Sequence, residues 1–565
     1  MRKDTAPRER DREEQSPDKV WREYEKGVSF KTSLNLYETV KVNEDFFVGK
    51  QWEGVQANGL PTPVFNFIRR IVLFLVASTA TDNLKINATP LSSTGEMGEA
   101  EMEKLCTVVN AQYEAIFEQT KMGKLIREFM RAAAVDGDAC LYSWFDPGVE
   151  TGQAAQGAIR AELLENTRVI FGNPNSREVQ GQPYIIISRR ELMRSVRDEM
   201  QRNGEDPDLA RSDTDETNNR YDAMADDGKV TTLTRFWKEG GTVWCIKTVQ
   251  GGTVRKAWDT GMKLYPITWM SWDHIPNCCH GQAAVTSLIP NQVFVNKLFA
   301  MTMISLMTTA YPKVVYDRVR IPRWEPGVGK PIPMNGGSGN VNDAVKVIDP
   351  GTVSPQVSQF IEMAISLTKE LMGASDAALG NTKPDNTSAI LAVQKASQVP
   401  MELIKQDLYQ CLEDMGNIWI DQMRVYYGQR YVNIPLDRRQ IMAAAQMGIQ
   451  AEELPSLFDF SILERTPLSI KLDVGGSAYW SEIAQMNTLD NLLMSKQIDI
   501  VDYLERVPNG YISNQQELID TLKDRQAAAM QQAPVPTPGG GSNPESELAE
   551  GYQTLARKSR QVGLE

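Results

Sequence analysis

Residues 291–310, NQVFVNKLFAMTMISLMTTA, constrain this chain more than any other stretch, because apolar side chains cover almost the whole circumference of the helix they predict. At about 1.5 Å per residue that helix is roughly 30 Å long, and a helix apolar all round needs neighbours on every side. The chain then turns at 331–351 to PIPMNGGSGNVNDAVKVIDPG, which suits turns and short extended pieces. A second helix is punctuated by Ser354 as N-cap, Pro355 at its first position and Gly373 at its end. Val357, Phe360, Ile361, Ala364, Thr368 and Leu371 share one face of it. The expectation is a hairpin of two helices whose tip carries a small separate module.

Composition narrows the class. With 565 residues the chain is too long for one core. Six cysteines without framework spacing point to free thiols in a reducing compartment. The N-terminus is mixed in charge with no apolar run behind it, so no secretory signal is expected. Residues 71–77, IVLFLVA, are far short of the ~20 residues a membrane span needs. Gln292, Asn296 and Lys297 favour burial of the 291–310 helix between protein surfaces over lipid, so no membrane insertion is expected. A net charge of -13 argues against gripping nucleic acid through a general basic surface, though not against letting DNA pass.

Along the chain, dense alternating charge predicts a disordered arm over 1–31, with order beginning near Thr32. Helical patterns follow from Leu34 to Val48, over 68–80 and, as one long helix, over 96–134. Asp136-Gly137-Asp138 then signals a turn, and two paired carboxylates there suggest a solvated connection. Strands are predicted at 140–145, 168–171, 183–188, 230–237, 242–249 and 253–258. Residues 197–229 carry eleven acidic and five basic side chains, a local charge of -6, and read as a solvated polar insertion. The polar loop 380–388 leads into a long helix, 389–427, with a kink expected at Pro400. Residues 467–474 read as a strand returning to the middle domain, 480–527 as short helices and 531–546 as a linker. The fold class is α+β.

The search for chemistry yields little. The chain has two histidines, and His274, Cys278, Cys279 and His280 offer the one set of potential zinc ligands; adjacent cysteines cannot both ligate easily, which favours a turn with buried thiols. Gly327-Val328-Gly329-Lys330 resembles the end of a phosphate loop but runs into Pro331, and Gly337-Ser338-Gly339 lacks the glycine spacing of a nucleophile elbow. Neither an enzyme nor a cofactor is expected. Between Tyr311 and Lys346, however, six basic residues face three acidic ones, a basic tip on an acidic chain.

The order of these parts resembles the portal proteins of tailed double-stranded DNA bacteriophages. The resemblance covers roughly 32–523. It rests on Phe46-Phe47-x-Gly49-x-Gln51-Trp52 followed by Pro63-x-x-Asn66-x-x-Arg69, and on Asp136-Gly137-Asp138 before the strand that ends Trp144-Phe145-Asp146-Pro147. It rests further on the sequence from Gly373 to Gly380, GASDAALG, between the hairpin and the long helix. The resemblance implies a homo-dodecameric ring in the virion, at one capsid vertex, assembled in the host cytoplasm, through which double-stranded DNA is packaged and later ejected. It implies contacts with major capsid and scaffolding proteins, the terminase and a head-completion or tail adaptor protein. Carried over, 32–280 form the wing, 281–310 the first stem helix, 311–353 the clip and 354–373 the second stem helix. The tunnel loop is then 374–388, the long helix and its return to the wing 389–475, the crown 476–530 and a flexible tail 531–565. Asn381, Thr382, Lys383 and Asn386 would meet DNA, and Arg318, Arg320, Arg323 and Lys330 would dock partners. Phe294, Leu298, Ile304, Phe360, Ile361 and Ala364 would pack the stem.

Two readings compete with a structural conduit. One is a metal-dependent hydrolase built on His274, Cys278, Cys279 and His280, and the other a membrane-associated assembly factor inserting 291–310.

Overall fold

The computed structural model describes residues 16–57, 59–80, 84–91, 98–153, 155–214, 228–310, 313–325, 330–336, 340–348, 356–372, 374, 387–435, 453–466 and 468–474, with short pieces between 489 and 522. They fall in two compact units, Met1–Gly475 and Gly476–Glu565.

The first unit opens on a helix where an arm was expected. Ser16 caps α1 (Pro17–Ser33), its side chain accepting from the Lys19 N–H, and Pro17 sits where a missing N–H costs nothing. Val20, Trp21, Tyr24 and Val28 form a stripe buried on Ile170, Ile186, Leu233, Trp237 and Ile246. Charge density concealed that stripe in the sequence. A Cβ at Gly27 would overlap the Ile170 side chain, so glycine lets the helix lie close to the sheet. Glu23 and Arg235 form a buried ion pair at 2.6 Å beneath it. Lys31, 2% exposed, donates to the carbonyls of Asn166, Thr167 and Val169 at 2.6–3.0 Å. Burial pulls its ammonium down to about 7, while the three carbonyls saturate all three of its donors.

Next come α2 (Leu36–Val48), α3 (Phe67–Ala80), β1 (Leu84–Pro90), α4 (Glu99–Gln119) and α5 (Met122–Asp136). The single helix expected over 96–134 is therefore two, broken where Lys121 turns left-handed at φ 53. Gly137 ends α5 at φ 96, with the Gly281 carbonyl only 3.0 Å from where a Cβ would stand. Beyond it lie β2 (Asp138–Asp146), β3 (Ala158–Leu164), β4 (Val169–Phe171), β5 (Tyr184–Leu192), α6 (Met193–Asn203), β6 (Lys229–Glu239), β7 (Thr242–Val249), β8 (Gly252–Asp259) and β9 (Ile267–Ser271). Every strand predicted here exists; β3 and β9 were not predicted. They form an antiparallel three-stranded sheet in the order β3-β2-β9 and a five-stranded meander β4-β5-β6-β7-β8.

The polar insertion is corrected in its first part. Residues 197–203 belong to α6, which buries Val196 and Met200 with Ala210, Val230, Val249 and Val254. Asp213 is tied to Arg190 and accepts the Thr231 N–H at 2.9 Å. Residues 215–227 lie outside the described residues.

The rest of the unit comprises α7 (Ala284–Ala310), β10 (Val314–Tyr316), α8 (Val341–Ala344), β11 (Val345–Val347), α9 (Gln356–Leu371), α10 (Thr387–Tyr426), β12 (Gln429–Pro435), β13 (Glu453–Asp459) and β14 (Leu468–Val474). The helix α10 is one element through Pro400, and its buried Leu408, Leu412, Met415, Trp419 and Met423 join the main core with α3, α4 and α5. Trp419 donates to the Ser143 hydroxyl at 3.1 Å, and the Tyr113 hydroxyl donates to the Gly416 carbonyl at 2.9 Å. β14 does not return to the middle strands: it pairs along its whole length with β1. In the second unit, α11 (Ile500–Arg506) is capped by Asp499 and packs Val501 and Leu504 on Ile519.

Candidate interaction surfaces on the helical hairpin

The N-terminal half of α7 is fixed in the core. Val285, Leu288 and Val295 are buried there. On the same half a chain of amides is buried: Asn296 donates to Gln51 at 2.6 Å, and Gln292 donates to Asn296 at 3.0 Å and to the Phe65 carbonyl at 2.9 Å. Such groups cost free energy when unpaired and here are paired with one another, which pins the rotation and register of α7 against the segment 51–68. Phe65 and Phe299 stack with centroids 4.1 Å apart. The partner helix α9 is joined to α7 through Asn291, which donates to Thr368 at 3.1 Å, and its Ile361 is buried in the main core.

Away from the core the hairpin bares its apolar side chains. On α7, Phe294, Met301, Leu306 and Met307 are 50–64% exposed, and on α9, Phe360, Met363, Leu367 and Leu371 are 52–81% exposed. Large apolar side chains exposed in this number mark a contact site. The six predicted packing residues divide: Leu298, Ile304 and Ala364 are half-buried and Ile361 is buried, whereas Phe294 and Phe360 point outward. The predicted set left out Met301, Leu306, Met307, Met363 and Leu367. For the three on α7 the signal was the all-round apolarity itself, which one antiparallel partner cannot cover.

At the far end of the hairpin, β10 and β11 form an antiparallel ribbon. Tyr316 stacks on Trp324 at 5.3 Å. Two of the four predicted docking cations have acidic neighbours, Arg320 with Asp317 and Arg323 with Glu325, each at 3.7 Å. Arg318 and Lys330 are exposed and have no ion-pair partner among the described residues. Asn381, Thr382, Lys383 and Asn386 lie outside the described residues, as do Ser354, Pro355 and Gly373.

The hydrolase alternative is corrected by geometry. His280 is buried, and its Nδ1 meets Asp138 Oδ2 at 2.8 Å. His274 lies on the surface, 3.4 Å from Asp407. Among the described residues no group of three or more His, Cys, Asp or Glu side chains is placed to hold a metal ion. Asp138, 1% exposed, is no solvated turn residue: it also accepts from the Ser271 hydroxyl at 2.7 Å and the Gly281 N–H at 2.8 Å. Burial holds the His280 imidazole below its ordinary value, against the pull of Asp138, and pushes the Cys279 thiol up to about 12. An inert thiol and an imidazole spent on a buried carboxylate make a structural knot joining the start of β2 to the segment before α7. Nor is any helix among the described residues long and apolar enough to cross a membrane.

A family model described as Phage P22-like portal protein matches residues 29–448, 420 of the 565. No curated protein matches the chain.

Proposed function

The chain belongs to the P22-like phage portal protein family, and on that premise we propose that twelve copies form a ring at one capsid vertex, the channel through which DNA is packaged and ejected. Portal proteins are structural components of the virion. In this reading residues 32–280 are the wing, α7 and α9 the stem, the β10–β11 ribbon the clip, 374–388 the tunnel loop and 476–530 the crown. Asn381, Thr382, Lys383 and Asn386 meet the DNA; Arg318, Arg320, Arg323 and Lys330 face the terminase and then the tail adaptor.

The observation that carries the ring is the apolar face of the hairpin. Side chains such as Leu371, 81% exposed, and Met301, 64% exposed, gain cover when the hairpin of the next copy lies against them. Closed repetition of one such contact makes a ring. The acidic balance of the chain, -13, suits a conduit, since a wall of like charge does not hold phosphates and a few loop cations make contacts that weaken with salt. Electron microscopy of the purified protein tests this. Rings with a central hole are expected, and monodisperse monomers at micromolar concentration would overturn it.

A further inference from the structure

The hairpin has two apolar flanks, and they are unlike. On α7 the row Asn291, Val295 and Leu298 faces α9, as the bond from Asn291 to Thr368 shows. Gln292, Asn296 and Phe299 lie about 100° round the helix from that row and face the segment 51–68. Phe294 and Met301 each stand three residues beyond a member of the row, which turns them about 60° the other way. On α9 the facing row is Val357, Ile361, Ala364 and Thr368, and Phe360, Leu367 and Leu371 again stand three residues beyond its members. An antiparallel helix pair has a two-fold axis normal to its plane, so equivalent positions on the two helices lie on the same side of that plane. One flank is therefore a ridge built from both helices: Phe294, Met301, Phe360, Met363, Leu367 and Leu371, 50–81% exposed.

The opposite flank is made differently. On α9 that side carries Ser358, Glu362 and Lys369, and apolar surface comes instead from outside the hairpin. Residues 60–65 lie against α7, with Phe65 stacked on Phe299 and its carbonyl held by Gln292, and Leu60, Val64 and Phe65 are left 40–54% exposed. Trp52 donates to the Pro63 carbonyl and Asn66 to the Phe47 carbonyl, both at 2.9 Å, so this segment is held in shape before anything binds it. The next turns of the same α7 face, Met303 and Leu306, are 40% and 59% exposed. These five side chains form a socket. Phe294 and Met301 bracket Asn296 and Phe299 along α7, so ridge and socket stand at one level of the helix. One chain cannot join them, because they lie on opposite sides of its own hairpin.

Taking the ring as given, we infer that neighbouring copies meet through unlike surfaces: the α7–α9 ridge of one copy seats in the socket that residues 60–65 and α7 of the next copy present, with Phe65 against the incoming side chains. Rotation about a ring axis places copies side by side with no shift along that axis, which brings two surfaces at one level together. Ridge against ridge would pair copies about a two-fold axis and stop at a dimer, whereas ridge into socket leaves one of each free at every step until the ring closes.

The test mixes two full-length variants. Met363→Asp with Leu367→Asp spoils the ridge and keeps the socket; Val64→Asp with Met303→Asp spoils the socket and keeps the ridge. All four side chains are 40–55% exposed, so both variants should keep the wild-type urea midpoint. Sedimentation velocity should find each variant monomeric at concentrations where wild type forms rings. An equimolar mixture should form dimers and grow no further, since the one good ridge then meets the one good socket. Rings from either variant alone, or a mixture that stays monomeric beside wild-type rings, would overturn the contact and leave the ring standing. Monomeric wild type would overturn the ring and this contact with it. Should the socket variant lose its urea midpoint, Val64→Ser with Met303→Ser replaces it, with the same outcomes expected.

Discussion

Phe360→Ser should separate the proposed ring contact from the fold of the subunit. The side chain is 57% exposed on α9 and lies outside the core of its own chain. A phenylalanine buries on the order of 200 Å² when fully covered, so the neighbouring copy stands to cover about 110 Å² of it. At about 25 cal/mol per Å² that is about 2.8 kcal/mol for each contact, roughly a 100-fold change in the constant for each contact, repeated around the proposed ring. The subunit itself should lose no more than ~0.5 kcal/mol, because an exposed position is being made polar. Light scattering behind size exclusion, run over a concentration series, reads the assembly, and urea unfolding of dissociated subunits reads the fold. Rings that persist at the same concentrations as wild type would refute the packing of this face. A fall of several kcal/mol in subunit stability would show instead that Phe360 belongs to the core of its own chain.

Three further outcomes are expected. Glu23→Gln leaves Arg235, 5% exposed, without its buried counter-charge and should cost about 3–5 kcal/mol in urea unfolding, whereas Glu23→Leu with Arg235→Met should recover most of the loss. Below pH 6.5 the unfolded chain takes up a proton at His280 that the folded chain resists, since burial holds the folded imidazole below 6.5. Stability from this group is therefore full above pH 6.5 and falls beneath it by up to about 1.4 kcal/mol per pH unit, and denaturation midpoints of His280→Gln should show a flatter slope over pH 7 to 5. Deleting residues 376–385 should spare ring formation and block DNA packaging; capsids filled normally by that variant would remove the loop from the channel.

Several strands and both hairpin helices were legible because their signals are local. The β-branched runs at 242–249 and 253–258 have period two, and Val357 to Leu371 has a helical stripe, so each declares its own element. α1 was missed because its apolar residues are embedded in charge, and what orders it is a sheet 140 or more residues away in sequence. The break at Lys121 was missed for the opposite reason: a left-handed residue leaves the apolar stripe intact on both sides. β3, half-buried, and β9, buried throughout, carry no clear alternation in their short runs, and only their pairing with β2 defines them.

By itself, then, the sequence determined the α+β class, the hairpin with a separate tip, and a family resemblance carried by the order of its parts. Those follow from periodicity, turn residues and residue order, which the chain holds locally. Tertiary structure alone decided that β14 closes on β1, and that His280 serves Asp138 instead of a metal. It also decided which apolar side chains of the hairpin face the core and which are left exposed. The physical reason is the same in each case: burial and pairing depend on which surfaces meet. A helix apolar on every side, as 291–310 is, states only that all its faces need cover and not which neighbour provides it.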